Sequence, residues 1–552
     1  MNNIFTLLRV QIKNAYKLKD EKKSTIVATV FAFIVLGVVF AIMGVGSTLL
    51  LGFAFIDKGL EREFLTIFFT TSQVIVLIFG TIMMISTLYY NRDNEYLASM
   101  PVTPQQVFFS KFLFVYLNEL LLSTAFVFMI GITFGIIAGY SFVFFLLLIP
   151  VAILLPFLPL LLSALLSIPI MYLLAFLKNK GIWTTILLIV MFVAVFALYF
   201  KFISSVATST GGEDSESVVI IPDSAVPGIQ QAARILAPVY ALVGMILGTD
   251  IWLNLLIVVA SFAVLFALGY ILSMTAYTKG VKAQFENNKT VVSKTREYRQ
   301  YSVVGSLVRM DFKEIMRQPM LAFYALFQIV FSPILIIFMG ANIGDISAEM
   351  PEAAGMVQAV FVMVAMFVIL LLSSSVNYTA LSSFTREGQN FFMLKALPVN
   401  PTEIIRAKTT LARIVNLVGV LIALVTTVFV FHLNFLYALG MGIFMLILSD
   451  GFTHYLVYLD FKKPKLVWEN VVAALKNNTN TFIAMGVMFL ILLVSVGLYA
   501  VAYFWLVLGL GLEELAIMGV YWCLMIIGAI AANILFRKLL YHSAEKFYRE
   551  HE

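Results

Sequence analysis

The amino-acid sequence predicts an all-α membrane protein with about twelve transmembrane helices, arranged as two fused six-helix repeats. The composition, the spacing of the apolar segments and an internal repeat predict this class. Of the 552 residues, 62% are hydrophobic and 12% are charged, and the mean hydropathy is +1.00. Soluble proteins carry roughly 45–50% apolar and about 25% charged residues. The composition therefore excludes a soluble enzyme, a nucleic-acid-binding protein and a disordered chain.

Twelve apolar stretches are long enough to span a bilayer, which requires about 20 residues of helix. Those of the first half lie at about 25–56, 65–90, 112–139, 142–176, 182–200 and 252–277. Those of the second half lie at about 321–341, 355–383, 409–432, 435–459, 481–507 and 516–536. The fourth stretch contains four prolines, so we expect a kink in that span.

The distribution of basic residues predicts that both termini are cytoplasmic, because cytoplasmic loops of membrane proteins carry an excess of Lys and Arg. With a cytoplasmic N-terminus, only Lys58, Arg62, Lys201 and Arg234 of the 36 Lys and Arg residues fall outside the cell. The opposite orientation would place almost the whole basic content outside. The last residues, 541–552, then form a cytoplasmic tail.

A fifteen-residue pattern occurs once in each half of the chain. The first motif, Leu97–Lys111, and the second motif, Leu394–Lys408, share a Pro-Val pair, a second proline and a final lysine. Thr103 and Asn400 are residue types that favour a helix N-cap, and a proline follows each at the first helical position. Each motif is therefore predicted to hold a turn and a capped helix that continues into the next span.

A second repeat precedes the first span of each half. Arg9, Lys13 and Lys17 recur as Arg309, Lys313 and Arg317. Basic residues at this spacing, with apolar residues between them, predict an amphipathic helix that lies in the lipid headgroup plane. We assign residues 1–24 to the first such elbow helix. Residues 278–320 are assigned to a basic cytoplasmic linker and the second elbow helix. They separate the first six-span repeat, at 25–277, from the second, at 321–540.

These features resemble the permease subunits of the ABC type-2 superfamily, the type V exporters, in their large fused form from Gram-positive bacteria. The resemblance rests on the elbow helices, on the six spans per half and on the loop between the second and third spans of each half. The resemblance implies the bacterial cytoplasmic membrane as the location. It further implies a coupling element in each loop that docks on an ABC ATPase subunit, with two ATPase copies per chain.

The resemblance assigns ATPase coupling to residues of both loops. In the first half these are Arg92, Glu95, Leu97, Met100, Pro101, Val102, Pro104 and Lys111. In the second half they are Arg386, Glu387, Leu394, Leu397, Pro398, Val399, Pro401 and Lys408. We expect the Leu, Met and Pro residues among them to be the apolar contacts, because apolar residues outside the hydrocarbon usually mark a contact surface.

Two departures from the family are clear from the sequence. The family usually builds its transporter from two separate six-span chains, whereas both halves are fused here. An insert at about 201–251 lies outside the cell between the fifth and sixth spans, and its part Pro227–Gly248 is predicted to be an amphipathic helix. The second half has no comparable insert.

The sequence contains no motif for catalysis. The dipeptide Gly-Lys, which a phosphate-binding P-loop requires, does not occur in the chain. ATP and Mg²⁺ would therefore be bound by the partner ATPase, and we expect this chain to bind no cofactor and to be no enzyme by itself. One cysteine and four scattered histidines leave little material for a metal site. The expected partners are the ATPase, membrane lipid and the transported substrate, with no nucleic acid.

Glu119, Asp450 and His454 are polar residues inside predicted spans. Such residues are costly in lipid and should face protein or water. Asp450 and His454 are four apart and share a helix face. They are interpreted either as a substrate or proton site, or as a structural pair or a protonated, hydrogen-bonded acid. The alternative function is an ion-coupled secondary transporter that uses Glu119 and Asp450. A membrane glycosyltransferase is a third hypothesis, which would need more structured external segments than this sequence offers.

Overall fold

The structure is a computed structural model of the chain, and it describes a defined set of residues. These are 2–15, 37, 44–46, 48–49, 51–91, 93–174, 180–207, 221, 226–274, 301–349, 369, 377–433, 435–466, 468, 475, 478–502 and 514–550. Within them every regular element is a helix. The described residues form two compact units, one from residues 2–15 and 44–274 and the other from residues 301–550.

The first unit contains ten helices that lie wholly within the described residues, and Gly44–Asp57 is a further short apolar helix. The ten are α1 (Asn2–Ala15), α2 (Glu61–Tyr89), α3 (Asn94–Ser99), α4 (Pro104–Ile137), α5 (Phe142–Leu154), α6 (Phe157–Leu174), α7 (Lys180–Ala207), α8 (Val226–Ile235), α9 (Ala237–Ile246) and α10 (Ile251–Leu272).

The second unit contains eight α-helices and one 3₁₀ helix among its described residues. They are α11 (Val303–Arg317), α12 (Pro319–Glu349), α13 (Tyr378–Leu381), the 3₁₀ helix Thr385–Asn390, α14 (Phe391–Ala396), α15 (Pro401–Phe431), α16 (Phe435–Lys462), α17 (Thr479–Ala502) and α18 (Glu514–Glu550).

The chain is a multi-pass membrane protein. In the described part, nine helical stretches are long and apolar enough to cross a membrane, and each overlaps a predicted span. They are Glu61–Tyr89, Pro104–Ile137, Phe142–Met171, Gly181–Lys201, Ile251–Ile271, Pro319–Gly340, Pro401–Phe431, Ala438–Lys462 and Tyr521–Ser543. The predicted spans 25–56, 355–383 and 481–507 fall largely or partly outside the described residues, so the total of twelve stays a prediction.

The fourth predicted span is broken, as its prolines suggest. α5 ends at Leu154 and α6 begins at Phe157, with Pro156 in the break. A proline removes one backbone donor and its ring clashes with the preceding turn. Pro150 and Pro169 lie inside the two helices.

The insert at about 201–251 does not hold the single amphipathic helix that the sequence predicts for Pro227–Gly248. It contains two short helices, α8 and α9, bent by 105° relative to each other. Leu236 at the bend has non-helical dihedral angles (φ −87°, ψ 44°), and Pro238 follows within the first turn of α9. A helix continued through Leu236 would bring the Pro238 ring against the carbonyl of Arg234, so the chain turns instead.

Each unit packs its elbow helix against the long helix that follows its motif. α1 lies against α4, and α11 lies against α15. α11 buries Leu307, Asp311 and Ile315, which share one face, and exposes its basic residues. The amphipathic helices expected at the elbows are therefore present for residues 2–15 and 303–317, and the remainder of 1–24 lies outside the described residues.

Candidate functional site

The first motif forms a short helix, a tight turn and the start of a long helix. α3 ends at Ser99, and the Val102 N–H donates to the Met100 carbonyl at 2.8 Å across Pro101. This contact closes a three-residue γ-turn, whose central φ suits proline. Thr103 then caps α4 by accepting from the Gln106 N–H, and the Gln106 side chain accepts from the Thr103 N–H. This capping box confirms the N-cap that the sequence predicts at Thr103.

The second motif repeats this local geometry. α14 ends at Ala396, and the Val399 N–H donates to the Leu397 carbonyl at 2.7 Å across Pro398. Asn400 occupies the N-cap position of α15, but its side chain makes no cap hydrogen bond. α4 and α15 contain 34 and 31 residues. At 1.5 Å per residue they measure roughly 51 and 46 Å, well beyond the ~30 Å of a hydrocarbon core. The last part of each motif, from Pro104 or Pro401 onward, and the following span are therefore one continuous helix in each unit.

The two motifs expose apolar side chains at their short helices and turns. In the first motif, Met100 is 51% exposed, and Tyr96 just before it on α3 is 72% exposed. Beside the second motif, Phe392 and Met393 are 66% and 58% exposed, and Leu397 is 41% exposed. The motifs are predicted to lie outside the lipid, where large exposed apolar side chains usually mark a contact surface.

Leu394 corrects the predicted set of exposed residues. It is 4% exposed and belongs to the hydrophobic core of the second unit together with Phe391. These two residues are three apart on α14 and share its inner face, so Phe392 and Met393 point outward in their place. Leu97 is half-buried. The sequence reasoning missed Tyr96, Phe392 and Met393 because their helices are only six residues long and show no clear period.

The remaining predicted residues of the motifs differ in how far they are exposed. Pro101, Pro104 and Pro398 are exposed, whereas Val102, Val399 and Pro401 are half-buried. Arg92 and the side chain of Glu95 lie outside the described part of the chain. The predicted coupling role of all these residues stays a prediction.

Lys111, the last residue of the first motif, is buried beneath the turn. Its Nζ donates to the Thr87 carbonyl at 2.9 Å and to Oδ1 of Asn94. The Asn94 amide in turn donates to the Leu88 carbonyl at 2.9 Å. These carbonyls belong to the last turn of α2, where a cation is favoured because the helix dipole is negative. Lys111 therefore connects α4 to the end of α2 and to the start of α3.

Lys408, the last residue of the second motif, lies in a buried ionic cluster. Its Nζ pairs with Asp311 Oδ1 at 2.8 Å and with Glu387. Arg386 pairs with Asp311 Oδ2 at 2.8 Å and donates to the Thr379 carbonyl at 3.1 Å. The four charged side chains are between 0% and 8% exposed. We call Asp311, Arg386, Glu387 and Lys408 the ionic cluster. It joins α11, the 3₁₀ helix and α15.

The electrostatics of the cluster favour its ionised form. Burial raises the pKa of the Asp311 carboxyl, but attraction to Arg386 and Lys408 outweighs burial and holds this pKa below its usual value. Burial and the nearby Glu387 carboxylate raise the pKa of Glu314 on the same helix. Oxygen atoms of Asp311, Glu314 and Glu387 lie within 4.8 Å of one another. Arg386 and Lys408 supply the positive charge that a metal ion would bring to such a group.

A second buried contact fixes the segment that leads into the 3₁₀ helix. Asp460, near the end of α16, accepts hydrogen bonds from the Phe384 N–H at 2.6 Å, from the Thr385 N–H at 3.0 Å and from the Thr385 hydroxyl. The Trp468 indole donates to the Thr385 carbonyl at 2.8 Å. Gly388 has φ +55°, and a Cβ there would lie 3.3 Å from the Trp468 ring, so glycine is required.

The sequence-predicted residues Arg386, Glu387 and Lys408 are thus brought together, but their charges face inward. Asp311 and Asp460, which hold them in place, were not among the predicted site residues. A signal for Asp311 existed in the sequence, because it is an acidic residue on the apolar face of a basic helix. Such a residue is rarely buried without a cationic partner.

The predicted intramembrane residues are divided between the two units. Asp450 pairs with Arg413 of α15, and the Asn533 amide donates to Asp450 Oδ2 at 3.1 Å. His454 is buried, and its Nδ1 contacts the backbone carbonyl of Asp450 at 2.8 Å. Asp450 therefore faces neighbouring helices, with a cation as its partner. Glu119 belongs to the first unit.

Comparison with known proteins does not extend this description. No protein-family model matches the chain, and no curated protein matches its sequence.

Proposed function

We propose that the chain is the membrane-spanning permease subunit of an ATP-driven exporter in the bacterial cytoplasmic membrane. A separate ABC ATPase hydrolyses ATP and docks on the two motifs. Both termini and both motifs are cytoplasmic in this proposal. The twelve spans form two six-helix repeats, and the elbow helices α1 and α11 lie in the headgroup plane.

One observation carries the proposal: each motif presents exposed apolar side chains on a turn that is continuous with a spanning helix. Tyr96 and Met100 project near the Pro101 turn, and Phe392 and Met393 precede the Pro398 turn. A partner that moves these side chains would move α4 and α15 as rigid rods, since neither helix is interrupted between motif and span. Coupling between ATP hydrolysis and transport needs such a rigid connection.

The buried lysines add a second mechanical connection in each unit. Lys111 and Lys408 join each long helix to the segment before its motif. A displacement of the short helix is thereby passed to α4 or α15 and also to the end of the preceding span. In the second unit the ionic cluster extends the connection to the elbow helix α11.

The proposal is tested by measuring whether the ATPase still associates with a double variant of this chain that carries Phe392→Asp and Met393→Asp. Burying one large apolar side chain contributes roughly 1.5–3 kcal/mol, and a carboxylate in an apolar interface adds a desolvation cost. We therefore expect the ATPase to be lost from pull-downs through a tag on this chain, with normal membrane levels. The ATPase used is the ABC ATPase subunit that co-purifies with the unmodified chain from its native membrane.

The matched control is Phe142→Asp. Phe142 is also strongly exposed, but it begins α5 at the opposite predicted side of the membrane, where an acidic residue in the first turn suits the helix dipole. This variant should recover the ATPase normally. Full recovery by the Phe392/Met393 variant, with unchanged stimulation of ATP hydrolysis, would show that α14 is not a docking element.

The second candidate function is an ion-coupled secondary transporter. The observation that favours it is Glu119, which is 1% exposed in the middle of α4. Proteoliposomes separate the two functions. An exporter of the proposed kind transports only with the ATPase and ATP present, whereas a secondary transporter responds to an imposed pH or sodium gradient without either.

A further inference from the structure

Two exposed arginines lie near each other on the surface of the second unit. Arg413 belongs to α15 and Arg537 to α18, and both side chains are exposed. The helices α15 and α18 contact each other, and both pack against α16. Both guanidinium groups are close enough to His454 of α16 to interact with it electrostatically. We call Arg413 and Arg537 the arginine pair.

Asp450 is the carboxylate that the described residues place against the arginine pair. One of its oxygens accepts a hydrogen bond from Arg413 Nε, and the other accepts one from the Asn533 amide at 3.1 Å. Asn533 precedes Arg537 by one helical turn, so both lie on the same face of α18. Two guanidinium groups against one carboxylate leave an excess of positive charge.

The arginine pair keeps most of its hydrogen-bond donors free. In the part of the chain that the structure describes, Nε is the one nitrogen of Arg413 with a partner, and the side chain is 46% exposed. Arg537 has no hydrogen-bond or ion-pair partner among the same residues. A guanidinium presents a planar fork of N–H donors that fits the oxygens of a phosphate.

The arginine pair lies near the predicted inner boundary of the hydrocarbon. A span needs about 20 residues, and this length counted back from Phe431, the last residue of α15, reaches about residue 411. The same length counted forward from Tyr521, where the spanning stretch of α18 begins, reaches about residue 540. Arginine side chains at such positions extend toward the headgroups while their stems stay among apolar groups.

An exposed apolar stripe leads from each arginine toward the middle of the membrane. On α15, Leu417 and Leu421 follow the arginine by four and eight residues. On α18, Ile534 and Ile530 precede the arginine by three and seven residues. All four side chains are exposed, and these spacings keep each stripe on the same helix face as its arginine. Donors for an anion are thus followed by surface for hydrocarbon chains.

We propose that the arginine pair binds the phosphate of an anionic phospholipid whose acyl chains lie along the two apolar stripes. The excess positive charge selects a headgroup that carries no cation of its own. A zwitterionic headgroup would bring an ammonium group next to the two guanidinium groups. A free phosphate could use the same donors but would leave the apolar stripes unused.

The experiment counts lipids on the purified full chain by native mass spectrometry. The chain in detergent is titrated with phosphatidylglycerol or with phosphatidylcholine of the same acyl chains. We expect the first phosphatidylglycerol to bind about tenfold more tightly than the first phosphatidylcholine, equivalent to one hydrogen bond between charged groups. Arg537→Met should weaken phosphatidylglycerol binding by a similar factor and leave phosphatidylcholine binding unchanged.

Arg537→Met removes no hydrogen bond or ion pair that the described residues make, so this variant should fold normally. The second variant combines Arg413→Met with Asp450→Asn, because removing both members of an ion pair avoids a stranded charge. It should also weaken phosphatidylglycerol binding. The matched control is Arg234→Met, since Arg234 is an exposed arginine on α8 of the first unit. This control should bind both lipids as the unmodified chain does.

Three results would overturn the assignment: equal binding of the two lipids, unchanged phosphatidylglycerol binding in Arg537→Met, or displacement of the bound lipid by millimolar inorganic phosphate. The last result would assign the arginine pair to a free anion. If the double variant does not fold, Arg537→Met alone decides. The assay contains neither ATPase nor ATP, so its outcome is independent of the proposed function.

Discussion

Lys408 has two carboxylate partners in the interior of the second unit. Asp311 and Glu387 both contact its ammonium group, and Arg386 is the further cation of the ionic cluster. Removing one member of a buried ion pair is costly because it leaves an uncompensated charge, whereas removing both members is often tolerated. The cluster can therefore be tested by single and paired substitutions.

We expect Lys408→Met to destabilise the chain by about 3–5 kcal/mol, because Glu387 then has lost its ion-pair partner. Glu387→Gln in the same chain should restore part of this loss, since Asp311 keeps Arg386. The measurement is unfolding of the detergent-solubilised protein by heat or denaturant.

Arg406→Met is the matched control, because Arg406 is an exposed cation on the same helix. It should change stability little. A Lys408→Met variant as stable as this control would contradict the assigned contacts.

At the scale of elements, the bent pair α8–α9 is attached to the start of α2 by Arg62. Its guanidinium donates twice to the Tyr240 carbonyl, at 3.1 and 3.0 Å, and once to Asn254 Oδ1 at 2.9 Å. It also lies 3.6 Å from the centre of the Tyr240 ring. A Cβ on Gly244 would approach the guanidinium to 2.4 Å. α9 therefore packs closely against Arg62.

Arg62→Met should loosen α9 from α2, since it removes three hydrogen bonds and the ring contact. Arg62→Lys should rescue little, because one ammonium group cannot reproduce the planar fork of donors. We expect amides of Ala237–Ile246 to exchange hydrogen about tenfold faster or more, equivalent to at least 1.4 kcal/mol.

Arg234→Met provides the comparison, because Arg234 is an exposed cation in the last turn of α8. Its exchange pattern should match that of the unmodified chain. Protection of α9 that survives Arg62→Met would mean that packing alone holds this helix.

The elements that the sequence predicted best are those with a strong local cause. The spans follow from long apolar runs, the Thr103 cap from a box of two side chains, and the break at Pro156 from proline chemistry. The bend at Leu236 was missed because the apolar pattern continues through it. The inward position of Leu394 and the Arg413 partner of Asp450 depend on contacts between distant segments, which spacing along one helix does not encode.

At the scale of the whole molecule, each chain carries two motifs and so should serve two ATPase subunits. We expect native mass spectrometry of the purified complex to give one 61.6 kDa chain with two ATPase copies. In this prediction, the fused halves supply both docking elements within one polypeptide. A particle with two copies of this chain for each ATPase pair would contradict the prediction.

The ionic cluster also constrains how this sequence can change over generations. Each of its four charged side chains is paired with an opposite charge in the buried interior of the second unit. A single substitution therefore leaves a neighbouring charge without its partner. Neutral drift at Asp311, Arg386, Glu387 or Lys408 must then proceed through paired changes. The corresponding lysine of the first motif, Lys111, binds backbone and amide carbonyl oxygens of α2 and α3, and backbone carbonyls do not mutate. Descendants of this chain should therefore vary together at the four cluster positions while Lys111 changes independently of them.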